Sequence, residues 1–172
     1  MKLIIFKLLT KFLIPLLIVV FIVQFKAQNL QDEKTEVEFV KTAKGSLQLI
    51  KYLTDGYVEE VSLKFKDKIL LKAPYQYINI KGRFARQPDT LFIVFLGTDS
   101  LSCIGKFVIV DLSDSSPKIT QEFGNCSDAP KIIYANNSLT FIFPDGSKSE
   151  SKYNIGRKET WQYRNGKLKK IK

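Results

Sequence analysis

The sequence predicts a mainly β protein: an antiparallel meander, arranged as a sandwich or as a propeller-like or barrel-like sheet, preceded by one N-terminal hydrophobic helix. Two observations predict the sheet. After Lys44 the apolar residues occur in short alternating runs that are separated by turn residues, with no sustained amphipathic helical pattern. In addition, the run Leu91–Leu96 is continuously apolar, which is typical of a strand buried on both faces.

The N-terminal helix is predicted from residues 1–27, which resemble a signal peptide or a membrane anchor. Lys2, Lys7 and Lys11 precede the apolar run Phe12–Val23, and signal peptides have this order. The run is short for a transmembrane helix, which needs about 20 apolar residues. The best cleavage site follows Ala27, but it lacks a small residue three positions upstream of the cut, so removal and retention both stay open.

The lysines on the amino side of this segment direct the rest of the chain outward. We therefore expect a periplasmic domain, or one anchored in the inner membrane and facing the periplasm. The segment holds four of the 27 basic residues and no acidic ones, so the remainder carries 23 basic and 17 acidic residues, a net charge of +6. This moderate charge favours an acidic protein, an anionic membrane surface or a wall polymer over nucleic acid, although solubility alone also accounts for it.

The remaining chain is predicted to contain a polar tether at residues 28–44 and a single β-rich domain at residues 45–172. Tyr57–Leu63 and Ile69–Lys72 are predicted to form a hairpin, and 118–123 another strand. Two further hairpins are predicted in the last third, where Tyr, Asn, Leu and Ile recur at an offset of 29 residues. This recurrence indicates either convergence on favoured turn residues or a true repeat of blades or of a meander.

Two cysteines, Cys103 and Cys126, lie in the part of the chain that is predicted to be exported. Because an even pair of cysteines in an oxidising compartment usually forms a disulfide, we expect these two to be bonded. Two buried free thiols are the alternative. A soft-metal site would need more cysteine or histidine ligands.

Histidine is absent, which excludes Ser-His-Asp and Cys-His mechanisms and histidine-containing zinc sites. Ser149–Lys152 has the S-x-x-K spacing, but its polar surroundings do not desolvate the lysine. Asp111, Asp114, Asn125 and Asp128 offer oxygen ligands for calcium without the spacing of an EF-hand loop, and such residues in turns normally bond their own backbone. We expect no catalytic residue, metal or cofactor, and predict that the protein is not an enzyme; carboxylate-pair hydrolysis is the alternative.

Two clusters of aromatic and basic residues are the candidate partner-binding surfaces. The first lies in the tail and comprises Trp161, Tyr163, Arg164 and Lys167. The second surrounds a loop and comprises Tyr75, Tyr77, Arg83 and Arg86. Aromatic residues and arginine are favoured in protein interfaces. In both clusters the alternative is that the aromatics pack inward, while the charges only solubilise the surface or protect a sheet edge.

Several short elements follow one another in the C-terminal part of the chain: Cys103, the strand Val108–Leu112, Pro117, the segment Phe123–Asp128 and the closing Glu159–Leu168. In these elements the chain resembles small exported β-rich proteins of Gram-negative bacteria, of the periplasmic immunity or lysozyme-inhibitor-like kind. The resemblance covers about 70 residues. It implies a domain that binds and blocks an enzyme attacking the cell envelope, and it assigns no functional residue.

These observations lead to two hypotheses. The first is a periplasmic or membrane-tethered protein-binding module, an immunity or inhibitor protein that neutralises an envelope-targeting toxin or a wall hydrolase. The second is a structural envelope-associated protein that contacts lipid or peptidoglycan through a basic C-terminal hairpin. The expected partner is another protein, with the membrane as a second contact if the N-terminal segment is retained.

Overall fold

Three four-stranded sheets make up the fold in the residues that the computed structural model describes, which are 33–84, 90–146 and 156–172. The N-terminal sheet contains β1 (Glu33–Thr42), β2 (Gly45–Thr54), β3 (Tyr57–Phe65) and β4 (Lys68–Ala73). The central sheet contains β5 (Tyr77–Phe84), β6 (Leu91–Gly97), β7 (Gly105–Asp111) and β8 (Lys118–Ile119). The C-terminal sheet contains β9 (Lys131–Ala135), β10 (Ser138–Phe143), β11 (Glu159–Arg164) and β12 (Lys167–Lys170). Consecutive strands are neighbours throughout, so each sheet is a meander, and the predicted mainly β antiparallel class is confirmed.

Three of the hairpins are closed by two-residue turns whose residues adopt positive φ. These turns are Asp55-Gly56, Asn136-Asn137 and Asn165-Gly166, with φ between 49° and 81°. Positive φ at both positions defines a type I′ turn, whose twist matches that of the flanking strands. The hairpins predicted in the last third are present, and they are neighbours in one sheet rather than parts of separate blades.

The central sheet joins the other two sheets, and its strands β6 and β7 are buried on both faces. All seven residues of β6 are buried. Because side chains alternate along a strand, Phe92 and Val94 pack against the N-terminal sheet, while Ile93 and Phe95 pack against the C-terminal sheet. The described part of the domain is therefore a sandwich of three layers, as the continuous apolar run of β6 requires.

Aromatic rings fill the space between the central and C-terminal sheets. The ring centroid of Phe107, on β7, lies 6.1 Å from that of Phe123 and 5.6 Å from that of Phe143. Phe123 meets Phe141 edge-on at 4.9 Å and lies 5.6 Å from Trp161. Burying one such side chain stabilises the fold by about 1.5–3 kcal/mol, so this cluster holds the C-terminal sheet in place.

The first strand differs from the sequence expectation, because β1 occupies residues that were predicted to be a tether. It begins at Glu33, twelve residues before the predicted domain boundary at residue 45. Every residue from Glu33 to Phe39 is exposed, and Val40 is the only residue of β1 that packs into the core. Edge strands often carry charged side chains that discourage pairing with other chains. This edge position explains why the strand has the composition of a tether.

The strand predicted at residues 118–123 is also shorter in the structure. Its regular part, β8, ends at Ile119. Further along the chain, Phe123 pairs with Phe107 in an isolated antiparallel bridge. Between these points the Thr120 hydroxyl accepts a hydrogen bond from the backbone N–H of Ile109 at 2.9 Å. A side chain thus replaces a backbone acceptor at this point of the ladder.

The predicted N-terminal helix, at residues 1–27, lies outside the described residues, and so does the start of the predicted tether. Among the residues that the structure does describe, no helix is both long and apolar enough to span a membrane. Whether the segment is removed or retained stays a prediction.

Cys103 and Cys126 form the predicted disulfide, with sulfur atoms 2.10 Å apart and Cα atoms 4.8 Å apart. Cys103 precedes β7, and Cys126 lies in the loop that follows Phe123. The bridge between Phe107 and Phe123 brings these two points of the chain together. A bonded pair fits an oxidising compartment.

Changing both cysteines to serine should lower the free energy of unfolding by about 3 kcal/mol, because a crosslink spanning 23 positions restricts the unfolded chain. Urea denaturation of the variant and of the parent protein measures this difference. Alkylation of unreduced protein, followed by mass spectrometry, should label neither cysteine. Two labelled thiols would contradict the bond.

Candidate functional site

The outer face of the C-terminal sheet is the candidate site, and strand alternation decides which residues form it. The opposite, inner face packs against the central sheet through Ile132, Tyr134, Leu139, Phe141, Trp161, Tyr163 and Leu168. Because successive side chains point to opposite faces, the residues between these point outward. We call this outward surface the basic face; it comprises Lys131, Ile133, Thr140, Ile142, Thr160, Gln162, Arg164, Lys167 and Lys169.

The basic face carries four cations and no carboxylate. The cations are Lys131, Arg164, Lys167 and Lys169, and all four are exposed. In the described parts of the chain none of them forms an ion pair. The single carboxylate of strands β9–β12, that of Glu159, lies on the inner side, where it is 8% exposed. It pairs there with Lys170 and accepts a hydrogen bond from Trp161 Nε1 at 2.9 Å.

Two of these cations stand directly opposite each other, because Arg164 and Lys167 are cross-strand partners in the β11–β12 hairpin. Like charges in this arrangement destabilise a sheet unless something neutralises them. Neighbouring strands are about 4.8 Å apart, so both side chains are able to contact one anionic group. The pairing therefore concentrates positive charge beside the β11–β12 turn.

Trp161 and Tyr163 point away from the basic face, which corrects the expectation that they form one surface with Arg164 and Lys167. Tyr163 is only 4% exposed, and its hydroxyl donates a hydrogen bond to the Asp111 carboxylate at 2.6 Å. Trp161 is half-buried against the core. The structure thus agrees with the alternative in which the aromatics of this hairpin pack inward. The predicted cluster is divided between the two sides of the sheet.

Both tyrosines of the second predicted cluster are hydrogen-bonded to carboxylates of the chain itself. The Tyr75 hydroxyl donates to Glu122 at 2.6 Å, and the Tyr77 hydroxyl donates to Asp99 at 2.6 Å. Burial, and then the bond to Glu122, raises the pKa of Tyr75. Arg83 is exposed on β5, while Arg86 lies outside the described residues. This cluster mixes cations with carboxylates, so its local charge is less positive than that of the basic face.

A cleft of about 210 Å³ lies between the central and C-terminal sheets, beside strands β8 and β12. Its apolar lining consists of Ile109, Ile119, Tyr163 and Leu168. Its polar lining consists of Lys118, Thr120 and Gln121, with Gly166 at the adjoining turn. Ile109 is buried, whereas Gln121 is exposed, so the cleft runs from an apolar floor to a polar mouth.

Three of the four side chains that were considered as calcium ligands, those of Asp111, Asp114 and Asn125, form hydrogen bonds within the chain. Asp111 accepts a hydrogen bond from the backbone N–H of Ser113 at 2.8 Å. Lys118 donates to Asp114, and this bond lowers the pKa of the Asp114 carboxyl. The Asn125 amide donates to backbone carbonyls of neighbouring loops. Within the described residues no three Cys, Asp or Glu side chains are grouped closely enough to hold a metal ion.

Of the nine residues of the basic face, sequence reasoning named only Arg164 and Lys167 as members of a site. Alternation along 167–170 was the available signal for Lys169, because it places Lys169 on the same side of the strand as Lys167. Lys131 and Thr140 join them only through the pairing of separate strands. No local sequence pattern predicted the cleft. Its lining comes from four separate segments that meet only in the folded chain.

Comparison of the chain with protein-family models, with curated proteins and with solved structures finds no match. The resemblance to immunity and inhibitor proteins therefore stays a prediction.

Replacing Tyr163 by Phe should lower the free energy of unfolding by about 1–2 kcal/mol, because it removes a hydrogen bond to a carboxylate in a part-buried position. The matched control is Tyr57→Phe, since Tyr57 is 78% exposed and the same change there should leave stability unaltered. Urea denaturation measures both variants. Equal, negligible effects of the two changes would show that the Tyr163 hydroxyl has no structural role.

Proposed function

We propose that this chain is an exported protein-binding module whose contact surface is the basic face. Its partner is an acidic protein surface, and neutralisation of an envelope-targeting toxin or wall hydrolase is the specific form of the proposal. The observation that carries it is the group of four exposed cations on a sheet face without a carboxylate. A cationic surface of this kind attracts an acidic partner and speeds association with it.

The composition of the basic face supports a protein partner over a purely electrostatic contact with a polymer. Between the cations lie Thr140, Thr160 and Gln162, which offer hydroxyl and amide groups for hydrogen bonds. Ile133, which is 38% exposed, adds apolar surface. Protein interfaces combine such apolar, hydrogen-bonding and charged contacts.

The scaffold supports the same proposal, because it presents the basic face on regular strands. Strand β10 lies in the middle of the C-terminal sheet. It pairs with β11 along its whole length and with β9 from Ser138 to Ile142. Behind it the buried rings of Phe141 and Phe143 fix the sheet to the core. The disulfide adds stability outside the cytoplasm. A rigid face of this kind loses little conformational entropy on binding.

The test measures binding of the full chain to immobilised poly-L-glutamate, a model of an acidic protein surface, at increasing salt. The charge reversal Lys167→Glu/Lys169→Glu should abolish binding, because it places two carboxylates on the basic face. Binding by the parent protein should weaken as salt rises, since exposed charges are screened over about 8 Å at physiological ionic strength. The matched control is Lys41→Glu/Lys68→Glu, which changes the net charge equally at two exposed lysines of the N-terminal sheet.

Retained binding in the control, with loss in the charge-reversed variant, supports the proposal. Equal loss in both variants would mean that net charge alone attracts the polymer, and it would overturn the basic face as a site. A parallel sedimentation assay uses vesicles that contain phosphatidylglycerol. If the charge reversal removes binding to vesicles while poly-L-glutamate never binds, the contact is with the envelope surface and not with a protein.

A further inference from the structure

The cleft and the basic face share strand β12, which separates them. Lys167 and Lys169 point outward onto the basic face, while Leu168, between them, points inward and lines the cleft. The β11–β12 turn contributes to both, because Gly166 lines the cleft beside Lys167. A partner that covers these lysines therefore needs only to pass over one edge strand to reach the cleft.

The basic face alone is small for a stable protein interface. Four strands at a spacing of about 4.8 Å, with about 3.4 Å for each residue along them, give a patch of about 400 Å² including the side chains at its margins. A standard interface buries about 800 Å² on each partner. The contact must then extend past the sheet, and three of the four cations lie toward the β12 edge, on β11 and β12.

The cleft has room for one large side chain, with an apolar floor beneath a rim that exposes more polar than apolar surface. An engineered apolar cavity of about 150 Å³ is able to bind benzene, so about 210 Å³ has room for a phenyl ring. Ile109, Ile119 and Leu168 supply the apolar walls, and the Tyr163 ring supplies an aromatic one. Interface energy is concentrated in buried anchors of this type, surrounded by a polar rim.

Resting on the proposed function, we infer that the cleft is an anchor pocket for a large apolar side chain, aromatic or branched, on the acidic partner. The partner segment carries carboxylates that lie on Lys167 and Lys169, and its apolar side chain turns over β12 into the cleft. The recognised chemistry is thus an acidic peptide segment that contains one large apolar residue. Charge selects the segment, and the cleft selects the residue within it.

Two synthetic peptides test this inference with the full chain, one with a phenylalanine between two runs of glutamate and one with a serine in its place. The phenylalanine peptide should bind about tenfold more tightly, because the ring leaves water on entering the cleft. Gln121→Trp should remove that advantage by filling the mouth of the cleft, while the serine peptide binds as before. The control is Gln121→Ala, which keeps the mouth open and should keep the advantage. Gln121 is exposed, so neither change is expected to disturb the fold.

Equal affinity of the two peptides for the parent protein would overturn the anchor pocket. An advantage of the phenylalanine peptide that survives Gln121→Trp would also overturn it, since the ring would then bind elsewhere. In both cases the serine peptide still reports on the basic face. If the serine peptide binds the parent protein but not Lys167→Glu/Lys169→Glu, and the cleft binds no ring, the proposed function is retained and only the anchor pocket is rejected. If neither peptide binds the parent protein, the proposed function fails as well.

Discussion

The burial of β6 on both faces is the constraint on which the rest of the structure depends. Phe92 and Val94 face one outer sheet and Ile93 faces the other, so β6 contributes to both core clusters, as does its neighbour β7. Each outer sheet has to supply a complementary apolar face, and its second face is then free to be polar. The separation of core from surface in both outer sheets follows from the burial of β6 and β7 on both faces.

The same constraint shapes the candidate site. The aromatic side chains of the C-terminal sheet lie on its inner face, where Trp161 packs against Phe123 and Tyr163 belongs to the same core cluster. Glu159 is also held on that side, paired with Lys170. The outer face is thereby left with cations, small polar side chains and a little apolar surface. Because the aromatic and basic side chains lie on opposite faces of the sheet, the site is a basic sheet face beside a cleft and not an aromatic–basic cluster.

Local patterns in the sequence predicted the parts of the fold that depend on neighbours in the chain. The continuous apolar run of β6 and the Asn-Gly turn at Asn165 are of this kind, as each is decided by a few adjacent residues. Alternation also grouped Trp161 with Tyr163, but a period of two does not say which face of a strand is buried. Neither the strand β1 nor the lining of the cleft could be predicted from composition, because both depend on contacts with distant segments of the chain.

Hydrogen exchange of the backbone amides, followed residue by residue by NMR, tests the doubly buried strand most directly. The amides of β6 should exchange only through global unfolding and should be among the slowest in the domain, because opening them exposes both core clusters. Those of Glu33–Phe39 in β1 should exchange much faster, since this edge strand is exposed along most of its length. If β6 exchanged as fast as β1 under native conditions, the central sheet would not be the element that holds the two outer sheets together.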